Sequence, residues 1–231
     1  MKYRNVIAAT FLSRPNRFIA YVEIDGVKET VHVKNTGRCR ELLVHGCRVY
    51  LAGADNPARK TKYDLIAVEK KREDGTTLLI NMDSQIVNDA AEEWLRTGSF
   101  VSSNATIRRE VTYGASRFDF YIEDGARRIF LEVKGVTLEN GGIASFPDAP
   151  TERGVKHLQE LIDCQKDGYE AYILFVVQMK EVFVFRPNDA MQPAFGDALR
   201  KAKNAGVGVL VKDCKIRPDS IVIHSDIPLN L

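Results

Sequence analysis

The stretch Arg117-Phe118-Asp119-Phe120-Tyr121-Ile122-Glu123-Asp124-Gly125-Ala126-Arg127-Arg128-Ile129-Phe130-Leu131-Glu132-Val133-Lys134 decides how this chain folds. Two runs of β-branched and aromatic residues flank an Asp-Gly pair, which is a strong two-residue hairpin signal. With the turn at Asp124-Gly125, Glu123 faces Ala126, Ile122 faces Arg127, Phe120 faces Ile129 and Phe118 faces Leu131. Side chains alternate along a strand with a period of two. One face therefore gathers Phe118, Phe120, Ile122, Ile129, Leu131 and Val133, with Arg127 beside the turn. The other gathers Asp119, Tyr121, Phe130, Glu132 and Lys134. This register sets Asp119 opposite Phe130 and diagonal to Glu132, about 7–8 Å apart, which two carboxylates can close around one cation. A one-residue slip would send Asp119 to the core face, and the apolar face argues against it.

The residue types suit one chemistry. Carboxylates are hard oxygen ligands for Mg²⁺ or Mn²⁺, and Mg²⁺ takes only one or two of them while keeping several waters. Such an ion activates a water and offsets charge on a phosphate. Lys134, two residues past Glu132, shares its face and can orient that water or stabilise developing charge. Taken alone, Asp119 with Glu132-x-Lys134 also fits a surface ion pair on a half-exposed hairpin, worth little in stability.

After Lys134-Gly135 the sequence predicts a loop containing Asn140-Gly141-Gly142 and Phe146-Pro147-Asp148-Ala149-Pro150. A helix follows, with Val155, Leu158, Leu161 and Ile162 as its buried stripe. Thr151 fits the N-cap and Glu152 the first turn. Arg153 and His157 are spaced i, i+4 and share a face. Arg153 can meet a phosphate bidentately, and His157 can contact a phosphate or a water. A capped amphipathic helix with a solvated basic edge accounts for the same residues.

At this point the chain resembles the sugar fermentation stimulation protein A family. The resemblance is carried by R-F-I-A-Y-V (17–22), N-T-G-R-C-R-E-L-L (35–43), R-K-T-K-Y-D-L (59–65) and S-R-F-D-F (116–120). It continues through E-V-K-G-V-T-L (132–138), F-P-D-A-P-T-E-R-G-V-K-H-L-Q-E-L (146–161) and a late A-K-N-A-G-V block (202–207), so it spans nearly the whole chain. It implies an N-terminal OB-like domain joined to a C-terminal domain of the PD-(D/E)xK nuclease type, with DNA binding as the associated activity and a regulatory role in sugar metabolism. Asp119, Glu132 and Lys134 match the core of that nuclease superfamily. Asp148, Thr151, Glu152, Arg153 and His157 match the family's own motif. Phe118 stands where the wider superfamily has proline, which weakens the match to any one nuclease subgroup.

Composition agrees. The 231 residues are 45% hydrophobic and 28% charged, ordinary for a folded soluble chain with room for one large or two modest domains. No apolar run reaches the roughly 18 residues of a membrane span, and the start lacks the apolar core of a signal peptide. Cys39, Cys47, Cys164 and Cys214 show no C-x-x-C spacing. They read as reduced thiols of a cytoplasmic protein rather than zinc ligands. The net charge of +2 conceals an asymmetry: residues 1–82 hold 15 Lys/Arg against 9 Asp/Glu, and residues 83–231 hold 18 against 22. A basic unit that holds phosphates beside an acidic one that holds metal would divide the labour in this way.

Residues 1–82 read as all-β. Phe18, Ala20, Val22 and Ile24 alternate, Asp25-Gly26 turns the chain, and Val27, Val31 and Val33 lie on the return strand. Further strands are expected at Cys47–Ala52, Tyr63–Glu69 and Thr76–Asn81. Five short strands in a small basic unit are compatible with an OB barrel, a fold that commonly binds oligonucleotides. Arg38 and Arg40, beside Asn35-Thr36-Gly37, are the first candidates for phosphate contacts, followed by Arg59, Lys60 and Lys62.

Residues 83–231 read as an α/β sandwich around a mixed sheet. A helix is expected over Ser84–Arg96, strands at Thr106–Tyr113, Ala171–Val177, Val182–Phe185 and Val207–Val211, and a helix at Pro193–Asn204. Ala171–Val177 is nearly all apolar, as expected of a strand buried on both faces. Glu93 and Glu110 are further acids that could approach the site.

The expectation is thus an α+β two-domain protein: an OB-like barrel over 1–82 and a PD-(D/E)xK nuclease-like domain over 83–231. In function it is a DNA-binding protein with a Mg²⁺- or Mn²⁺-dependent nuclease site. Asp119 and Glu132 bind metal, Lys134 assists the water, Arg153 and His157 handle phosphate, and Asp148 and Glu152 complete a second metal site. Thr151 joins the nucleic-acid contacts, RNA is the alternative substrate, and a homodimer is compatible with the nuclease fold. The competing expectation is a non-cleaving DNA-binding regulator of sugar-metabolism genes.

Overall fold

The computed structural model describes residues 1–35, 37–54 and 59–231. Six strands open the chain: β1 (Val6–Ser13), β2 (Ile19–Ile24), β3 (Val27–Val33), β4 (Arg48–Gly53), β5 (Tyr63–Lys71) and β6 (Thr77–Asn81). They run in the order β3-β2-β1-β4-β5-β6, and a parallel β3–β5 pairing closes β1 to β5 into a barrel. The five-strand OB-like barrel is therefore present, built from a different five strands than the sequence pattern suggests. β1 is a barrel stave that the pattern missed, and β6 pairs only with β5, outside the ring. The sequence Val6-Ile7-Ala8-Ala9-Thr10-Phe11-Leu12-Ser13 has no polar alternation to announce a strand, and only Ala9 and Phe11 within it are fully buried.

The rest of the chain forms a six-stranded mixed sheet ordered β15-β14-β12-β9-β8-β7. These strands are β7 (Thr106–Tyr113), β8 (Ser116–Asp124), β9 (Arg127–Val136), β12 (Glu170–Val177), β14 (Gly208–Arg217) and β15 (Ser220–Asp226). β12 runs parallel to both β9 and β14 and is the buried strand its composition demands. A small third sheet, β10 (Leu138–Asn140), β11 (Ile143–Phe146) and β13 (Val184–Pro187), occupies much of the stretch expected to be loop. β15 was also not anticipated. The helix α1 (Ile86–Leu95) covers the sheet face carrying Phe120, Ile122, Ile129, Leu131 and Val133. The helices α2 (Glu152–Lys166) and α3 (Pro193–Asn204) cover the other face, and their apolar residues join the barrel core in one continuous cluster. Among the described residues no helix is long and apolar enough to cross a membrane.

The Asp-Gly pairs at 25–26 and 124–125 behave differently. Asp25 and Gly26 both have positive φ (50° and 80°), and Ile24 pairs with Val27, as a two-residue turn at Asp-Gly requires. At the second pair only Gly125 has positive φ (63°), and Asp124 stays in β8, paired with Arg127. The turn is Gly125-Ala126, with glycine in the first central position that a type II′ turn prefers. Asp124 is held in the strand because its carboxylate accepts from Ser102 N (3.0 Å) and Ser102 Oγ (2.6 Å). The register therefore moves by two residues: Phe120 pairs with Leu131 and Tyr121 with Phe130. A shift of two preserves the faces and, carried one pair further, sets Asp119 across from Glu132 instead of diagonal to it.

One residue leaves its expected face. Phe118 packs on the α2 side, 5.5 Å from the Phe130 ring and 5.9 Å from His157, while Phe120 remains under α1. On β7, Glu110 adopts a left-handed φ of 60° where the pairing with β8 skips a step, between Arg109↔Phe120 and Val111↔Phe118. Alternation breaks at Asp119.

Candidate metal centre

That break positions Asp119. Its Oδ2 accepts from the backbone N–H of Val133 at 2.7 Å, and its Oδ1 from Asn88 Nδ2 of α1 at 2.8 Å. Burial, with the nearby charge of Glu132 second, pushes the Asp119 carboxyl up to about 6. Backbone N–H and Asn88 oppose the shift without cancelling it.

Glu132 is fully enclosed. Its Oε1 is shared by Lys134 Nζ and by His157 Nδ1, the latter at 2.5 Å. Burial alone would raise this carboxyl, but His157 and Lys134 outweigh it and hold Glu132 below the ordinary carboxylate range. His157 Nε2 accepts from Arg153 Nε at 3.2 Å, so the ring proton sits on Nδ1 and is donated to Glu132. Glu132 Oε2, by contrast, is buried with no hydrogen-bond partner. An ionised oxygen in that state is costly. Two hard carboxylates on adjacent strands, one with an unused oxygen, fit a divalent cation better than any other group.

Asp148 and Glu152, expected to complete a second metal site, do not form a cluster with Asp119 and Glu132. Among the described residues no three His, Cys, Asp or Glu side chains converge as a ready-made cage. Asp148 lies instead against Gly37 of the barrel, where a Cβ would collide with its Oδ2, and burial raises its carboxyl. Glu152 is exposed in the first turn of α2. Glu93 is paired with the Met1 amino group and Glu110 with Arg117 at 2.6 Å. His157 is not on a solvated edge: it is 2% exposed and serves Glu132, leaving Arg153 as the exposed member of the pair. Thr151 caps α2 as expected, accepting from Gly154 N at 3.0 Å.

The barrel reaches into this region through the end of β3. Ser84, just before α1, donates Oγ to Lys34 O at 2.6 Å, and Gly37 abuts Asp148, just before α2. Thr36 lies outside the described residues. A polar chain runs beneath: Gln178 Nε2 to Asn81 Oδ1 (2.9 Å), Asn81 Nδ2 to Tyr3 OH (2.9 Å), and Asp83 Oδ1 accepting from Gln85 N (2.9 Å) at the start of α1. Asn88 and this chain were missed at the sequence level. An asparagine inside a helix, a poor position for it by propensity, was the only available signal.

A model described as the SfsA N-terminal OB domain matches residues 12–80, and one described as the sugar fermentation stimulation protein RE domain matches residues 85–220. The chain belongs to the sugar fermentation stimulation protein family. It is 54% identical to a sugar fermentation stimulation protein homolog of Clostridium beijerinckii over 224 residues, 97% of each chain. It is 57% identical over 221 residues to a homolog of Desulfitobacterium hafniense (strain DSM 10664 / DCB-2), covering 96% of this chain and 94% of the other. Among solved structures it is similar to SfsA of Pyrococcus furiosus in complex with Ca²⁺, with a TM-score of 0.84, 27% identity and coverage of 100% and 98%.

Of the five basic residues expected to meet phosphate on this family member's barrel, four are exposed: Arg38, Arg40, Lys60 and Lys62. Arg59 is committed elsewhere. Its guanidinium grips buried Asp64 at 2.7 and 3.1 Å, and Asp64 also binds His32 Nδ1 at 2.9 Å. A further arginine, Arg14, is not among the five. It donates to four backbone carbonyls, those of Arg17, Asn35, Gly37 and Arg38, at 2.6–2.8 Å, and so fixes the loop that carries Arg38 and Arg40.

Proposed function

We propose that this protein is a divalent-metal-dependent phosphodiesterase acting on nucleic acid, with Asp119 and Glu132 as the cation ligands. The observation that carries the reading is the unpartnered, buried Oε2 of Glu132 beside an Asp119 whose ionisation is disfavoured by burial first and by Glu132 second. The similar Pyrococcus protein was solved with Ca²⁺, a hard cation with the same preference for oxygen ligands as Mg²⁺. A bound Mg²⁺ or Mn²⁺ would supply Lewis acidity, offsetting phosphate charge and activating water.

The chain's own groups do the rest. Val133 N–H and Asn88 fix Asp119, and His157 and Lys134 keep Glu132 ionised and oriented. Lys134 is positioned to exchange its contact with Glu132 for a phosphate oxygen or the attacking water. Arg153, exposed one helical turn from His157, is suited to a phosphate of the same strand.

A second reading is favoured by one observation. The exposed arginines of the barrel are independent of the carboxylates, so the protein could bind DNA without cutting it and act as a regulator. Cleavage of labelled DNA and RNA in Mg²⁺, Mn²⁺ or EDTA, with Asp119→Asn and Glu132→Gln proteins alongside, separates the two. Metal-dependent cutting lost in both variants supports the phosphodiesterase. Binding with no cutting in any metal sinks it and leaves the regulator.

A further inference from the structure

A second feature of the barrel concerns the form of the substrate. Between the β1–β2 turn and the loop after β3 lies a groove of about 640 Å³. Arg14, Arg17, Arg38, Arg40 and His45 line it, and among the described residues no acidic side chain does. Among the described residues Arg17, Arg38 and Arg40 have no carboxylate partner within ion-pair distance, while Arg14 is spent on backbone carbonyls. His45 Nδ1 donates to Leu12 O at 2.9 Å, so its neutral ring turns only the Nε2 lone pair outward and brings no donor to a phosphate. Three guanidiniums without a counter-charge, those of Arg17, Arg38 and Arg40, are a site for an anionic chain.

The groove also has an aromatic neighbour. Phe18 follows Arg17 in the exposed turn before β2, stands 47% exposed, and has the Arg17 guanidinium over its ring at 4.8 Å. Its backbone is fixed, because Phe18 N donates to Asn16 Oδ1 at 2.9 Å and Phe18 O accepts from Val33 N at 2.8 Å. A held, exposed aromatic face beside a cationic groove matches unstacked bases on a phosphate backbone. A duplex keeps its base faces stacked inside, so Phe18 would have nothing to stack on.

We infer that this groove binds single-stranded nucleic acid, with Arg17, Arg38 and Arg40 on phosphates and Phe18 stacked on a base. The inference deepens the nucleic-acid reading above and rests on it. Gly37, in the loop that forms one wall of the groove, abuts Asp148 just before α2.

The test is fluorescence anisotropy in EDTA with oligonucleotides of about 12 nucleotides, within the usual site size of one OB fold. The arms are oligo-dT, oligo-rU and a DNA duplex of the same length, and the first two distinguish DNA from RNA. The expected result is single-strand binding at least tenfold tighter than duplex binding. The Arg38→Ala/Arg40→Ala protein should reduce the slope of log affinity against log salt by about 1.4, two single-strand phosphate contacts' worth. Phe18→Leu should cost about tenfold with the slope unchanged, and Phe18→Trp should restore the loss. Equal or tighter duplex binding, or a Phe18→Leu protein indistinguishable from the parent, overturns the inference. Because no metal is present, that failure is separate from any result of the cleavage assay, which tests the carboxylates alone.

Discussion

Asn88 holds Asp119 across the gap between α1 and β8, donating Nδ2 to Oδ1 at 2.8 Å. The helix that carries Asn88 is pinned at its start by Asp83 and, through Ser84, to the barrel residue Lys34. The placement of the Asp119 carboxylate in one half of the molecule thus depends on a strand end in the other.

Asn88→Ala should weaken divalent-cation binding by about tenfold, the usual range for losing a group that orients a ligand. The stability cost should be small, about 1 kcal/mol. Calorimetric titration with Mn²⁺ and a urea melt measure the two separately. An unchanged affinity would show that Val133 N–H alone suffices to aim Asp119.

His157→Ala removes a buried donor from Glu132 and leaves a cavity beside Phe118. The protein should lose about 2–3 kcal/mol, from an unpaired buried polar group plus lost packing. Arg153→Ala should leave thermal stability within about 0.5 kcal/mol, as for other exposed positions, while reducing substrate affinity. Thermal melts that rank the two variants the other way would contradict the division of roles.

Glu139 governs acid stability at the seam between barrel and sheet. Its buried carboxylate accepts from Lys70 Nζ (2.7 Å) and Gly142 N (2.7 Å), with Arg72 Nε at 3.5 Å. Burial alone would raise this carboxyl, but these partners outweigh it and depress it below its ordinary value. A carboxyl depressed by folding contributes its stability at neutral pH, and that stability is lost as pH falls below the unfolded value of about 4.3 and through the folded one. Glu139→Gln should therefore be less stable than the parent at pH 7, by about 3 kcal/mol, and the gap should narrow towards pH 3. Urea midpoints measured across that range check the sign.

Gly37→Val tests the contact with Asp148. A Cβ at Gly37 would strike Asp148 Oδ2 and stand 2.9 Å from Asn35 Oδ1, so the loop or the segment before α2 must move. Overpacking of this kind costs about 1–3 kcal/mol. It should also lower catalytic efficiency more than it lowers single-strand affinity in EDTA. An equal fall in both would place the defect in the groove alone.

Glu132 and Lys134 were legible as one strand face because an error of two residues in the turn leaves alternation along β9 unchanged, whereas Asp119 stands where alternation along β8 breaks. The error itself was not legible. Whether Asp-Gly supplies both turn residues or only the glycine depends on Ser102, which is distant in sequence and captures the Asp124 side chain. The role of His157 was misread for a related reason. Its i, i+4 spacing to Arg153 is local information, but its burial depends on Glu132 and Phe118 arriving from two strands. β1 was missed because a stave of a closed barrel with few polar positions carries little periodic signal. Arg59 was misassigned because a charge count cannot show that Asp64 lies inside the barrel end.

The chain's first residues cross to the far half before β1 begins. The Met1 amino group binds Ile221 O at 2.8 Å, Lys2 bridges to Ser220, and Tyr3 N donates to Asp219 O at 2.8 Å. A single cut near Met82 would therefore not yield two independent pieces. The upstream fragment would carry a pairing segment with nothing to pair to, and the downstream fragment would present bare edge at Ser220 and an orphaned Asn81–Gln178 partner. Mixed together, the two should reassemble by strand complementation, so the halves behave as an interlocked pair rather than as beads on a string.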